Sequence, residues 1–349
     1  MINSFKFSIL FLALGHGIND FIAGYFLGSL AQTDIETAKI GFYLIIYNFI
    51  AFGGQYPVAL YIRQVIDIKK TLLAAYGINI IAIVLFPFIS SLSIVFMGIA
   101  SAIYHVAGGS ICAEKNKATN IGLFAAPGVA GLIAGGYLAY LKTSMDLAVL
   151  IISIGFFMIL IKLPLPKKGV QQFKIERHGE FKLDRHDMMM ILLLSVISLR
   201  STVWNIFQLI HENEYDWLLA IAVSAAAGKI VGGWLSDRIG WRLYVFVSLA
   251  MSAPLVTFFK KDMLFFCIGT GLLQSGIPAT TSLLIHSMKN EKEKAIALSF
   301  GTAIILGGII TPVSPVFFSY YFLLFVLVFL FMFLWWIAEK KAQGKFVSR

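Results

Sequence analysis

Charge is scarce in this sequence. Asp, Glu, Lys and Arg make up 13% of 349 residues, against roughly one-quarter in an average soluble domain, which excludes an ordinary water-soluble globule. Cysteine is nearly absent: Cys112 and Cys267 are the only two, both lie in apolar runs, and neither stands at metal-ligand spacing. Core packing is their expected role, and they say nothing of redox compartment. There is no Gly-x-x-x-x-Gly-Lys phosphate loop and no Ser nucleophile elbow, which sets aside ATP-driven and serine-nucleophile chemistry. Long polar segments are missing too. The only one, PKKGVQQFKIERHGEFKLDRHD at 166–187, is too short to bury a core of its own, so no soluble catalytic or signalling domain is expected.

What is present is apolar length. Hydrophobic residues make up 59% of the chain, with 31 Phe, and a helix crossing a hydrocarbon layer of about 30 Å needs around 20 such residues. Runs of that length predict twelve spans, at 6–30, 37–61, 70–90, 92–113, 119–141, 146–164, 187–210, 216–236, 241–259, 263–288, 295–317 and 319–338. Outer-membrane strands are about ten residues long with alternating polarity, whereas these runs are continuous. The first run is too long for a cleavable signal and lacks a small-residue cleavage pattern, so it is expected to remain as the first helix.

Basic residues set the orientation, because Lys and Arg collect on the cytoplasmic side. With both termini cytoplasmic, only Lys39, Lys142, Lys260 and Lys261 fall on the far side, and Arg200 and Lys229 lie within spans. The net charge of +10 is then a matter of topology and anionic lipid, with no nucleic-acid partner needed. The bacterial cytoplasmic membrane is the expected location.

The 166–187 stretch divides the helices six and six. The expected organisation is a first bundle at 1–165, a cytoplasmic linker at 166–186 and a second bundle at 187–349. An internal repeat supports the division: Gly98 is followed by Gly135 and Gly136, and Gly269 by Gly307 and Gly308, with an offset of 171 to 172 residues between halves. The expected fold is an all-α membrane protein of twelve helices in two six-helix bundles, an arrangement of secondary transporters that bind solute between the halves.

The stretch GGWLSDRIGWR at 232–242 resembles the loop signature of the major facilitator superfamily, met by Gly233, Asp237, Arg238, Gly240 and Arg242. The resemblance implies a cytoplasmic latch between the halves. Physically, Gly233 permits close helix approach, Gly240 a tight turn, and Asp237 can accept hydrogen bonds at a neighbouring helix N-terminus. The corresponding first-half positions are Tyr61, Val65, Ile68 and Lys70, of which only the last keeps the pattern, so a one-sided latch is expected. Three further segments, GHGIND, GIASAIYHVAGGS and LRSTVWNIF, resemble the fosmidomycin-resistance branch of that superfamily. This resemblance spans about 10–315, although the Pro that follows the helix 4 histidine in that branch is absent here. It implies export of a small drug or metabolite in exchange for protons; a proton-independent or importing facilitator of a small metabolite, and a membrane enzyme or receptor on a transporter fold, are the alternative readings.

The candidate site follows from ionisable groups at bilayer depth, which are costly there and usually serve transport. Asp20 lies near the middle of the first span with His16 one turn away on the same face, and the two are expected to share a proton. His105, in the fourth span, is the third candidate for proton coupling. Arg200 begins a face continued by Trp204 and Gln208, a cation, an indole and an amide suited to an anionic or aromatic solute. Asn19 and Tyr104 complete the expected solute contacts. Arg200 is expected to pair with Asp20 when no solute is bound, and Lys229 to reach the cytoplasmic interface. The expected partners are a small organic solute, of which an anionic one would suit Arg200, protons and lipid, and the expected state is monomeric. No cofactor, metal or enzymatic activity is expected.

Overall fold

The computed structural model describes residues 4–33, 35–64, 67–165, 185–210, 214–259, 261–289 and 291–310. These residues form helices and no strand: α1 Ser4–Leu30, α2 Thr37–Ile62, α3 Ile68–Leu85, α4 Ser90–Cys112, α5 Ala118–Tyr140, α6 Asp146–Lys162, α7 Arg185–Ile210, α8 Tyr215–Ile239, α9 Trp241–Phe258, α10 Met263–Ser287 and α11 at 292–310. Each matches an apolar run within a few residues except α3, which stops at Leu85, and α11, whose expected run continues past residue 310 outside the described residues. Among the described residues, nine helices are long and apolar enough to cross a membrane. Residues 166–184 of the expected linker and the expected twelfth span lie outside the described residues, and Arg185 and His186, expected in the linker, begin α7.

Local chemistry punctuates the helices. Asp67 caps α3 by accepting from the Lys69 amide at 3.2 Å, and Asp262 caps α10 by accepting from the Phe265 amide at 3.1 Å; such caps satisfy amides that a helix start leaves orphaned. Asn116 takes a left-handed φ of 42° before α5, and Gly240 a φ of 97° between α8 and α9. Only glycine adopts the latter without strain.

The helices form two bundles, with α1 packed along α5 and α4 along α3 in the first, and α8, α9 and α10 packed together in the second. Two seams join them. In one, α5 lies along α8, from the Ala118 end to a ring stack of Tyr140 on Tyr215 with centroids 3.7 Å apart. In the other, α2 meets α11. Both of these helices contain a π-helical turn, Phe49–Gly53 and Leu298–Thr302, and the turns face each other. Gln55, fully buried, donates from Nε2 to the Ala51 carbonyl on its own helix and to the Phe300 carbonyl across the seam, at 3.1 and 3.2 Å. π-Turns of this kind mark helices adapted to function more often than ordinary ones.

Candidate functional site

Three side chains converge inside the first bundle. His16 Nε2 lies 2.9 Å from His105 Nε2 and 3.2 Å from Asp20 Oδ2, and His105 Nε2 lies 3.8 Å from the same carboxylate oxygen. The i, i+4 spacing puts His16 and Asp20 on one face of α1, and α4 brings His105 to it across 89 residues of sequence. The histidines are buried, and Asp20 keeps 14% of its surface exposed.

The far ring nitrogens favour one tautomer for each histidine. His16 Nδ1 is 2.7 Å from the Phe124 carbonyl, and His105 Nδ1 is 2.8 Å from the Ser101 carbonyl. A carbonyl only accepts, so each Nδ1 carries the hydrogen and each neutral Nε2 presents a lone pair. Two lone pairs and a carboxylate oxygen therefore point together with no donor among them. Neighbouring side chains brace this arrangement. Asn19 donates to Asp20 Oδ1 at 2.9 Å and in turn accepts from Asn79 at 2.8 Å, and Ser101 Oγ lies 3.3 Å from Asn19 and 3.2 Å from His105 Nδ1. The ring of Phe124 stacks on His16 with centroids 4.5 Å apart.

Gly128 of α5 leaves the room the cluster occupies. A Cβ there would stand 2.5 Å from His16 Nε2 and 2.7 Å from Asp20 Oδ2, nearer than real Cβ atoms come. Gly128→Ala is therefore expected to fold with a loss of about 1–3 kcal/mol from overpacking and to displace the cluster. Solute transport driven by a pH gradient should fall while the thermal midpoint moves by only a few degrees, and wild-type rates would refute the crowding argument.

Other candidate residues are placed differently from expectation. Asn19 braces Asp20. Tyr104 is fully buried, donating to the Leu12 carbonyl at 2.9 Å and packed edge-on to Tyr76, so it ties α4 to α1. Arg200 does not pair with Asp20; the carboxylate is taken by its helical neighbour His16, and Arg200 lies in the other bundle. There Nη2 donates to Ser248 Oγ on α9 at 3.1 Å, while the fully buried guanidinium leaves Nε and Nη1 without a hydrogen-bond partner among the described residues. It lies against Gly276 of α10, where any side chain would collide with it. Trp204 is half-buried against the core, and the Gln208 side chain lies outside the described residues. Lys229 does not reach the interface. It is buried mid-way along α8, within electrostatic range of Asp20 and His105. Its position among small residues, Ala225 to Gly233, was the sequence signal for close packing against α5.

The loop signature lies at the seam. Asp237 Oδ1 accepts from the Ala118 amide at 3.0 Å and from Trp241 Nε1 at 2.8 Å, and Oδ2 accepts from the Thr119 amide and hydroxyl at 2.9 and 2.6 Å. The carboxylate of the second bundle thus caps α5 of the first, where the helix dipole favours an anion. Gly233 lets the α8 backbone meet Ala118 and Thr119, and the Arg238 guanidinium covers the Trp234 ring at 3.8 Å. Arg242 is half-buried in the first turn of α9.

Polar contacts across the bundles are not confined to the side that carries the loop signature. At the pseudo-equivalent place, Arg63 at the end of α2 pairs with Glu291 before α11 at 2.7 Å, and Lys292 pairs with Glu114 at 2.8 Å. The place is kept while the chemistry changes from a helix cap to ion pairs, which a search for the glycine-aspartate pattern does not detect; Val65 lies outside the described residues. Asp237→Ala should destabilise this closed seam by about 0.5–2 kcal/mol, the worth of a helix cap. Spin labels on α5 and α8 would report a larger open population, with solute affinity nearly unchanged. An unaltered distance distribution would deny Asp237 the latch role.

No protein-family model matches the sequence, and no curated protein matches it. Solved structures do. The crystal structure of FucP, a major facilitator superfamily transporter in the outward conformation, superposes with a TM-score of 0.73 at 12% identity, over 95% of this chain and 98% of that one. A variant of the E. coli fucose:proton symporter FucP gives 0.71 at 12% identity, over the same shares. The chain has the major facilitator fold and is a multi-pass integral membrane protein. At this identity the likeness speaks for the fold alone.

Proposed function

We propose that this protein is a secondary active transporter that moves a small organic solute by alternating access, with protons exchanged at His16, Asp20 and His105. One observation carries the reading: three acceptor atoms converge in a buried site with no donor among them, an arrangement that calls for one positive particle, and a proton on His16 or His105 supplies it. Arg200 receives the anionic part of the solute through its free Nε and Nη1 donors, beside Trp204. Gly233, Asp237, Arg238, Gly240 and Arg242 serve the gate. The fold is organised as bundles at 1–165 and 187–349, monomeric, in the bacterial cytoplasmic membrane with both termini inside.

Export is the proposed direction, on the resemblance to the fosmidomycin-resistance branch. Proton-coupled uptake is the second reading, favoured by a structural neighbour described as a fucose:proton symporter. The test is flux in sealed proteoliposomes of known orientation under an imposed pH gradient, with candidate solutes drawn from a resistance and metabolite-export screen. Solute and protons moving in opposite senses support export, and movement together supports uptake. Flux indifferent to the gradient removes proton coupling from the proposal.

A further inference from the structure

The same three atoms have the geometry of a transition-metal site. A triangle with sides of 2.9, 3.2 and 3.8 Å has a point about 2.0 Å from every corner, and Zn–N and Zn–O bonds run about 2.0–2.2 Å. A metal ion would therefore reach all three donors with shifts of a few tenths of an ångström. We propose that His16, Asp20 and His105 bind one divalent first-row transition-metal ion of the Zn2+ or Co2+ kind, in competition with the proton. This inference rests on reading the cluster as a single-cation site.

Three further observations point the same way. Each histidine donates its other ring hydrogen to a backbone carbonyl, Phe124 or Ser101, the outer-shell contact that fixes a metal-bound imidazole in orientation and tautomer. The free carboxylate oxygen, Asp20 Oδ1, is held by Asn19, itself anchored on Asn79. The donor set, two imidazoles and one carboxylate, is borderline in hardness and suits Zn2+, Co2+ or Fe2+ better than Mg2+ or Ca2+. Three protein ligands leave a fourth position free, and the partial exposure of Asp20 provides the side from which water or solute would enter. Lys229 is a buried cation within electrostatic range, and its charge opposes a dication. No spacing in the sequence displays this set, because His105 stands far along the chain on a different helix.

The test uses purified full-length protein in detergent. Titration with Co2+, followed by visible absorption, and with Zn2+, followed by calorimetry, is expected to give one saturable site per chain. Zinc absorption spectroscopy on the wild type is expected to show two imidazole ligands and a short first shell, a readout that needs no variant to fold. His16→Gln and His105→Gln should each weaken binding by at least about a hundredfold, and Asn19→Ala by about 10–100-fold as an outer-shell loss. Lys229→Gln should tighten it. Replacing His178 and His186 of the polar stretch should leave binding unchanged; if that double variant abolishes it, the metal sits on the linker and the proposal is overturned. A wild type with no saturable site tighter than millimolar overturns it as well. The two readings separate cleanly: zinc binding with uphill transport retained in Asp20→Asn keeps the metal and loses the proton role, and coupled transport without zinc binding does the reverse.

Discussion

Proteoliposomes carrying Asp20→Asn are expected to accumulate no solute under a pH gradient while still exchanging it downhill. The substitution keeps the shape of the side chain, and its amide can donate directly to His16 Nε2, which lies 3.2 Å from the oxygen it replaces. The gap among three acceptors is then closed by a permanent hydrogen, and no proton needs to be taken up or released in the cycle. Insertion and folding should survive, since Asn19 retains a partner on the same group. Uphill flux should fall to the level of empty liposomes. Uphill transport at the wild-type rate would rule out Asp20 as the coupling group.

The second large effect concerns Arg200. A fully buried guanidinium with one serine hydroxyl bond and two nitrogens unpartnered among the described residues is a liability for folding, because burying a charge without an opposite charge costs several kcal/mol. Arg200→Met should therefore leave thermal stability unchanged or raise it by a few degrees, while solute affinity falls by about 30-fold or more, the loss of a buried charged hydrogen-bond partner worth about 2–5 kcal/mol. Arg200→Lys should fall between, since a point charge replaces a planar donor set. Tryptophan quenching, with Trp204 one turn away as reporter, gives the affinity, and calorimetry gives the midpoint. A large drop in stability with solute affinity intact would make Arg200 a structural residue.

The helices were legible because the bilayer imposes a length and an apolarity that a single sequence displays directly, and nine of the described spans fall close to their runs at both ends. Pairing of His16 with Asp20 was legible for the same reason, being a matter of helical spacing. His105 was a candidate without a stated partner, since nothing in its spacing says which helix it faces. Arg200 and Lys229 show where such reading stops. An Arg and an Asp at similar depth suggest an ion pair, but depth carries no information on which bundle or face a residue occupies. Lys229 looked long enough to reach the interface, and the close packing of α8 on α5 keeps it inside. At the latch, the cap by Asp237 followed a recognisable pattern, whereas Arg63 and Glu291 are ordinary charges until the fold sets them opposite each other.

That difference between the two ends of the latch makes ionic strength a selective lever. Ion pairs with partly exposed members, Arg63 with Glu291 and Lys292 with Glu114, weaken as salt shortens the Debye length from about 10 Å at 0.1 M to about 3 Å at 1 M. The cap on α5, although exposed, consists of short hydrogen bonds from neutral amides and a hydroxyl to one carboxylate, with no second full charge to screen, and is less sensitive over that range. Rising salt therefore loosens the α2–α11 side ahead of the α5–α8 side, and the bundles part first along one edge, like a door on a single post.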